Sequence, residues 1–229
     1  YDSGTTPDVG RVYVLLGGAT VGGSVSAANA DWIFEGATTD ENLGRGAASA
    51  GDVNGDGLDD LVLGAYRYNQ ATGRAYLILG STTRTGTSDA ATAAALIIEG
   101  EAAGDRLGTI TASVGDVNGD GFADFALGAP SSSAGGADAG RAYVFFGRSN
   151  PSGTVNASTA NVIITGTSGG NLANGLRGGG DINGDGLDEI WVGSVSFQSR
   201  RGRSSLFLGS TTLSGSLTAD NNSDLQVTG

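Results

Sequence analysis

Short apolar runs punctuate a chain otherwise dominated by Gly, Ser, Thr, Ala, Asn and Asp, and they return in a fixed order. One set opens on Gly-Arg: GRVYVLLG (10–17), GRAYLILG (73–80), GRAYVFFG (140–147) and GRSSLFLG (202–209). A second is WIFEG (32–36), LIIEG (96–100), VIITG (162–166) and LQVTG (225–229). A third, DLVLGA (60–65), DFALGAP (124–130) and EIWVGS (189–194), follows the small-residue stretches LGRGAASAGDV (43–53), LGTITASVGDV (107–117) and LANGLRGGGDI (172–182). The apolar runs are short, rich in Val, Ile, Leu, Phe and Tyr, and bounded by Gly, which predicts strands; no longer segment carries a 3.6-residue period. Four strands per module, recurring near every 60 residues, predict an all-β fold of β-propeller blades, each of four antiparallel strands. The small-residue strand suits the crowded innermost position, and the aromatic-rich strands suit the wider outer part.

The register divides residues 1–229 into the outer half of a blade (1–36) and three blades (43–100, 107–166 and 172–229). Tyr1 aligns with Tyr66, so the segment enters in mid-blade. About three and a half blades are present, and further blades are expected from the same polypeptide or from another protein subunit. The Ser/Thr/Ala-rich segments 81–95 and 148–161 are expected to be solvent-exposed connections.

Composition narrows the function classes. With 38% hydrophobic residues the chain has enough apolar material for a core, and its 42 glycines follow no three-residue period, which excludes collagen. The net charge is −12 and all 12 basic residues are Arg, so no basic surface is expected to condense on nucleic acid or anionic membrane. No run of 18 apolar residues predicts membrane insertion. There is no Cys, so no disulfide informs on compartment.

The strongest chemical signal is an acidic loop that appears three times: GDVNGDGLDD (51–60), GDVNGDGFAD (115–124) and GDINGDGLDE (180–189), at intervals of 64 and 65 residues. Oxygen-bearing side chains fall at loop positions 1, 3, 5 and 9: Asp52, Asn54, Asp56 and Asp60; Asp116, Asn118, Asp120 and Asp124; Asp181, Asn183, Asp185 and Glu189. Position 6 is Gly, for a sharp turn, and position 7 (Leu58, Phe122 or Leu187) offers a backbone carbonyl. Six to seven oxygens per loop match what Ca²⁺ takes, whereas Mg²⁺ keeps more water. Three Ca²⁺ sites are therefore expected. An EF-hand is excluded, because position 12 is Leu63, Leu127 or Val192 rather than Glu, and the ninth residue enters a strand instead of a helix. Asn/Asp/Gly turns alone would not gather so many mutually repelling carboxylates.

Acidic loop, LGAP-like strand and GR-Y-aliphatic-G strand together resemble the FG-GAP repeat of the integrin alpha-subunit N-terminal β-propeller, over nearly the whole chain. The resemblance implies a seven-bladed propeller, Ca²⁺ in the hairpin between the first two strands of a blade, and extracellular or cell-surface recognition with a protein or glycan ligand. The family's Phe-Gly is here Leu43-Gly44, Leu107-Gly108 and Leu172-Ala173, and Gly-Ala-Pro is complete only at Gly128, Ala129 and Pro130. Glu189 stands where Asp is usual, so the third loop is expected to depart most from the common geometry.

Other features point more weakly. Arg74, Arg141 and Arg203 suit inter-blade packing or pairing with the loop carboxylates better than an anionic ligand. Trp32 and Trp191 suit packing better than sugar stacking. Asn156-Ala157-Ser158 and Asn221-Asn222-Ser223 match glycosylation acceptors. The competing function class is a carbohydrate-active or lipase-type enzyme, or an accessory domain of one. With no His, Cys or Lys, and with 11 of the 24 acidic residues committed to the three loops, no catalytic centre is expected.

Overall fold

The computed structural model describes residues 8–17, 24 and 26–228; Tyr1 and the mid-blade start read there lie outside the described residues. The fold is all-β, a partial β-propeller of four sheets, and among the described residues no helical segment exceeds four residues. The first sheet contains β1 (Arg11–Val14) and β2 (Trp32–Glu35). The second contains β3 (Leu43–Gly51), β4 (Asp60–Ala65), β5 (Arg74–Ile78) and β7 (Leu96–Glu99), with β6 (Gly86–Asp89) between the last two in sequence. The third contains β8 (Ile110–Gly115), β9 (Asp124–Ala129), β10 (Arg141–Phe145) and β12 (Val162–Thr165), with β11 (Gly153–Asn156) before the last. The fourth contains β13 (Leu172–Gly180), β14 (Glu189–Ser194), β15 (Arg203–Phe207) and β17 (Leu225–Thr228), with β16 (Gly215–Thr218) before the last.

Within a blade the strands run antiparallel in sequence order, and the small-residue strands β3, β8 and β13 form the edge at which neighbouring blades meet. Period-two alternation gives each sheet two apolar faces. Trp32, Phe34, Leu63, Tyr76 and Ile78 fill the first seam; Leu77, Ile98, Phe125, Leu127 and Phe145 fill the second; Val144, Ile164, Leu176, Ile190, Val192 and Phe207 fill the third. Phe125 and Phe145 stack at 5.5 Å, and Trp32 meets Phe34 edge-on. Trp191 is partly buried on β14.

The blades differ from the predicted four strands in one respect. Segments 81–95 and 148–161, expected to be exposed connections, contain β6 and β11, and β16 is their counterpart. Each reaches back to pair in parallel with the last strand of the preceding blade: β6 with β2, β11 with β7 and β16 with β12. They are exposed edge strands of sequence GTSD, GTVN and GSLT, so no alternating apolar signature reports them. Asn156 closes β11; its amide nitrogen, the atom a glycan would modify, donates to Gly100 O at 3.1 Å.

A carboxylate latch fastens the entry to two blades. Tyr143 donates its hydroxyl to Glu101 at 2.7 Å, where Arg141 also lands at 2.9 Å; Tyr76 bonds the fully buried Glu41 at 3.2 Å. The Gly-Arg arginines thus pair with strand-end and linker carboxylates, Arg11 with Glu35, Arg74 with Glu99 and Arg203 with Asp220, and not with the acidic loops. Replacing Tyr143 by Phe removes a hydrogen bond to a charged group, for which about 1.5 kcal/mol of stability is expected to be lost. That corresponds to a melting temperature lowered by roughly 3 to 6 °C, measurable by calorimetry.

Candidate metal centre

Each acidic loop is the hairpin between the first two strands of a blade: β3 to β4, β8 to β9 and β13 to β14. Glycines at positions 4 and 6 take positive φ, 76° and 86° at Gly55 and Gly57, and repeat this at Gly119, Gly121, Gly184 and Gly186. That left-handed backbone lets successive N–H groups point inward. Asp52 accepts from Gly55 N (2.7 Å), Asp56 N (3.0 Å) and Gly57 N (2.8 Å). Asp116 and Asp181 accept the same three bonds from their own loops.

Asn54, Asn118 and Asn183 each bond the fifth residue twice, accepting from its N–H and donating to its carboxylate. The other oxygen of Asp56, Asp120 and Asp185 accepts from the N–H of position 7, which turns the chain at Leu58, Phe122 and Leu187. Local hydrogen bonds thus hold the donor groups of positions 1, 3 and 5 together in all three loops.

Position 9 separates the loops. Asp60 and Asp124 are fully buried and accept on both oxygens, from Val53 and Gly80 and from Val117 and Gly147. Burial pushes both carboxyls up, Asp124 to about 7, against the lowering effect of those amides; the neighbouring loop carboxylates raise them further. Glu189 is fully buried too, but only one of its oxygens is taken, by Ile182 N at 2.7 Å. Its Oε1 has no hydrogen-bond partner. Carboxylate oxygens of Asp181, Asp185 and Glu189 lie within 4.8 Å of one another. A buried carboxylate that keeps one oxygen unpartnered and is grouped with two further carboxylates is unfavourable by itself, and a hard divalent cation with oxygen ligands fits it. The third loop does depart from the common geometry, and the departure brings the carboxylates together. Glu189, one methylene longer than Asp, lacks the second backbone amide that Gly80 and Gly147 give to Asp60 and Asp124.

Sequence reasoning missed Asp188. Its carboxylate accepts from Asp116 N at 2.8 Å across the seam, while its own N–H donates to Asp116 O at 3.1 Å. Ala123 N likewise bonds Asp52 O at 3.0 Å. The first donor of each of these loops is therefore tied to the eighth residue of the next loop. The only sequence signal was an additional Asp beside position 9.

The FG-GAP repeat family matches residues 44–78 and 108–145, which span β3 to β5 and β8 to β10. The chain is 33% identical over 161 residues to integrin alpha-5 of Xenopus laevis, covering 65% of this chain and 14% of that one. It is 39% identical over 87 residues to integrin alpha-PS2 of Drosophila melanogaster, covering 34% and 6%, and 33% identical over 163 residues to integrin alpha-E of Mus musculus, covering 62% and 12%. The chain thus spans a small part of the length of these relatives.

Proposed function

The chain belongs to the FG-GAP repeat family of integrin-alpha-like propellers, and from that premise we propose that it is a calcium-binding, calcium-stabilised recognition or adhesion module of the cell surface or extracellular space. The observation that carries the calcium reading is the third loop, where carboxylate oxygens of Asp181, Asp185 and Glu189 come within 4.8 Å of one another and buried Glu189 keeps one oxygen without a hydrogen-bond partner. By the shared loop bonding, the proposal extends to Asp52, Asn54, Asp56 and Asp60, to Asp116, Asn118, Asp120 and Asp124, and to Asn183. The carbonyls of Leu58, Phe122 and Leu187 complete the three sets. Such an ion would neutralise the loop carboxylates, and nothing in the chemistry requires turnover; we assign no catalytic centre.

The blade boundaries 43–100, 107–166 and 172–229, with an outer half-blade before them, remain part of this reading. So does a ring completed by further blades of the same polypeptide or another subunit. Support comes from β17, whose Leu225 and Val227 are 49% and 56% exposed. Among the described residues no helix is long and apolar enough to cross a membrane.

The test is a calorimetric Ca²⁺ titration of the metal-stripped protein beside Glu189→Gln. Three binding events with Kd of about 10⁻⁴ to 10⁻³ M are expected, and two in the variant. No binding heat up to about 10 mM Ca²⁺, ten times the upper end of that range, would remove calcium from the reading.

A further inference from the structure

We propose that Asp188 is a positioning residue that couples calcium binding at the second and third acidic loops, clamping the first donor of the second loop from within the donor set of the third. The inference rests on the calcium reading above. Its basis is the way successive loops touch. Position 7 of one loop lies over the position 4 glycine of the loop before: a Cβ on Gly55 would stand 2.8 Å from the Phe122 ring, and one on Gly119 would stand 2.8 Å from the Leu187 side chain. The N–H of position 8 donates to the carbonyl of position 1 in the loop before, from Ala123 to Asp52 at 3.0 Å and from Asp188 to Asp116 at 3.1 Å. Position 2 is held as well, since Val53 O accepts from Arg148 N at 2.8 Å and Val117 O from Ser210 N at 2.9 Å. These contacts are common to both pairs of loops.

The side chain at position 8 distinguishes the pairs. Ala123 has no acceptor to offer Asp52, whereas Asp188 turns its carboxylate back to Asp116 N at 2.8 Å. One residue of the next blade thus holds Asp116 at both its N–H and its carbonyl. The backbone is bared to admit the carboxylate, because a Cβ on Gly115 would collide with it, while the equivalent Gly51 faces only the methyl of Ala123.

Two placements turn this clamp into a coupling. Asp116 is the first donor of the second loop, and its side chain gathers the N–H groups of Gly119, Asp120 and Gly121, so the position of its backbone decides where the other donors of that loop stand. Asp188 itself lies between two members of the third set, Leu187 with its carbonyl and Glu189 with its carboxylate. With the third loop occupied, the residues on both sides of Asp188 are fixed, and Asp116 is ordered before the second loop is filled. An ordering cost that is already met appears as affinity. The effect is reciprocal, so occupancy of the second loop favours the third by the same factor. The first and second loops share the backbone contacts alone and are coupled less.

Titration of the metal-stripped full chain with Ca²⁺, followed by NMR through the amide signals of Gly57, Gly121 and Gly186, gives one reporter per loop and tests the proposal. Asp185→Ala, which disables the third loop, is expected to weaken binding at the second about tenfold, within the roughly 5- to 150-fold range of ordinary couplings, and to change the first loop less. Asp120→Ala should weaken the third loop by the same factor. Asp188→Ala should weaken the second loop by itself and remove the further effect of Asp185→Ala, which a double-mutant cycle reads directly. Asp188→Asn keeps an acceptor for Asp116 N without the charge and should restore most of the affinity, which separates positioning from a general charge effect. Four results would each overturn the clamp and leave three calcium sites standing: a second loop indifferent to Asp185→Ala, a full effect of Asp185→Ala in the Asp188→Ala background, Asp188→Asn as weak as Asp188→Ala, or tighter binding at the second loop once the third is disabled, as repulsion between neighbouring cations alone would give. No calcium-dependent shift at any of the three glycines would overturn the clamp together with the calcium reading.

Discussion

Transfer from millimolar Ca²⁺ into chelator is expected to lower the melting temperature by roughly 10 °C. A ligand at ten times its Kd stabilises the folded state by about 1.4 kcal/mol, so three loops together contribute about 4 kcal/mol. A domain of this size shifts by about 2 to 4 °C per kcal/mol. The triple change of Asp56, Asp120 and Asp185 to Ala is expected to abolish the calcium response. Its melting temperature should stay near that of the wild type in chelator, because removing one carboxylate per loop also relieves the repulsion of Asp52, Asp116 and Asp181. The loops are stitched to one another through Asp52–Ala123 and Asp116–Asp188, so the loss should be cooperative across blades and not confined to a hairpin. Identical melting in chelator and in calcium would remove the metal from the account of stability.

Strands whose side chains enter a seam were legible because apolar identity is what the seam selects. Val62, Tyr76, Ile98, Phe125 and Val144 are all buried in the runs that announced them. The parallel strands β6, β11 and β16 were not legible, since each offers one edge to a backbone partner and leaves its side chains in solvent. The donor spacing of the acidic loops was readable because positions 1, 3, 5 and 9 are separate chemical choices. Which loop draws its carboxylates closest was not, because it turns on one methylene at Glu189 and on the amides that Gly80 and Gly147 direct at Asp60 and Asp124. Asp188 escaped for a related reason: its partner lies 72 residues away, and sequence spacing reports only local geometry.

The second large effect is expected at the glycine of the second strand, and it should grade along the chain. A Cβ on Gly64 would stand 2.0 Å from the carbonyl oxygen of Gly108 in the next blade. On Gly128 it would stand 2.6 Å from Ala173 O, and on Gly193 nothing is nearer than 3.5 Å. None of the three has a left-handed backbone, so substitution tests space alone. Gly64→Ala must push two central backbones apart in a close-packed seam, and a loss of about 3 kcal/mol or more is expected. Gly128→Ala should lose about 2 kcal/mol, since contact with the same kind of atom is less severe. Gly193→Ala meets only ordinary contacts and loses a glycine's unfolded-state freedom, so it should lie between neutral and about 1 kcal/mol more stable. Chemical denaturation of the three variants gives the order directly. Equal losses at Gly64 and Gly193 would show that the requirement belongs to the strand and not to the neighbouring blade. If further blades complete the ring beside β14, Gly193 acquires a neighbour, and Gly193→Ala should then become as destabilising as Gly64→Ala.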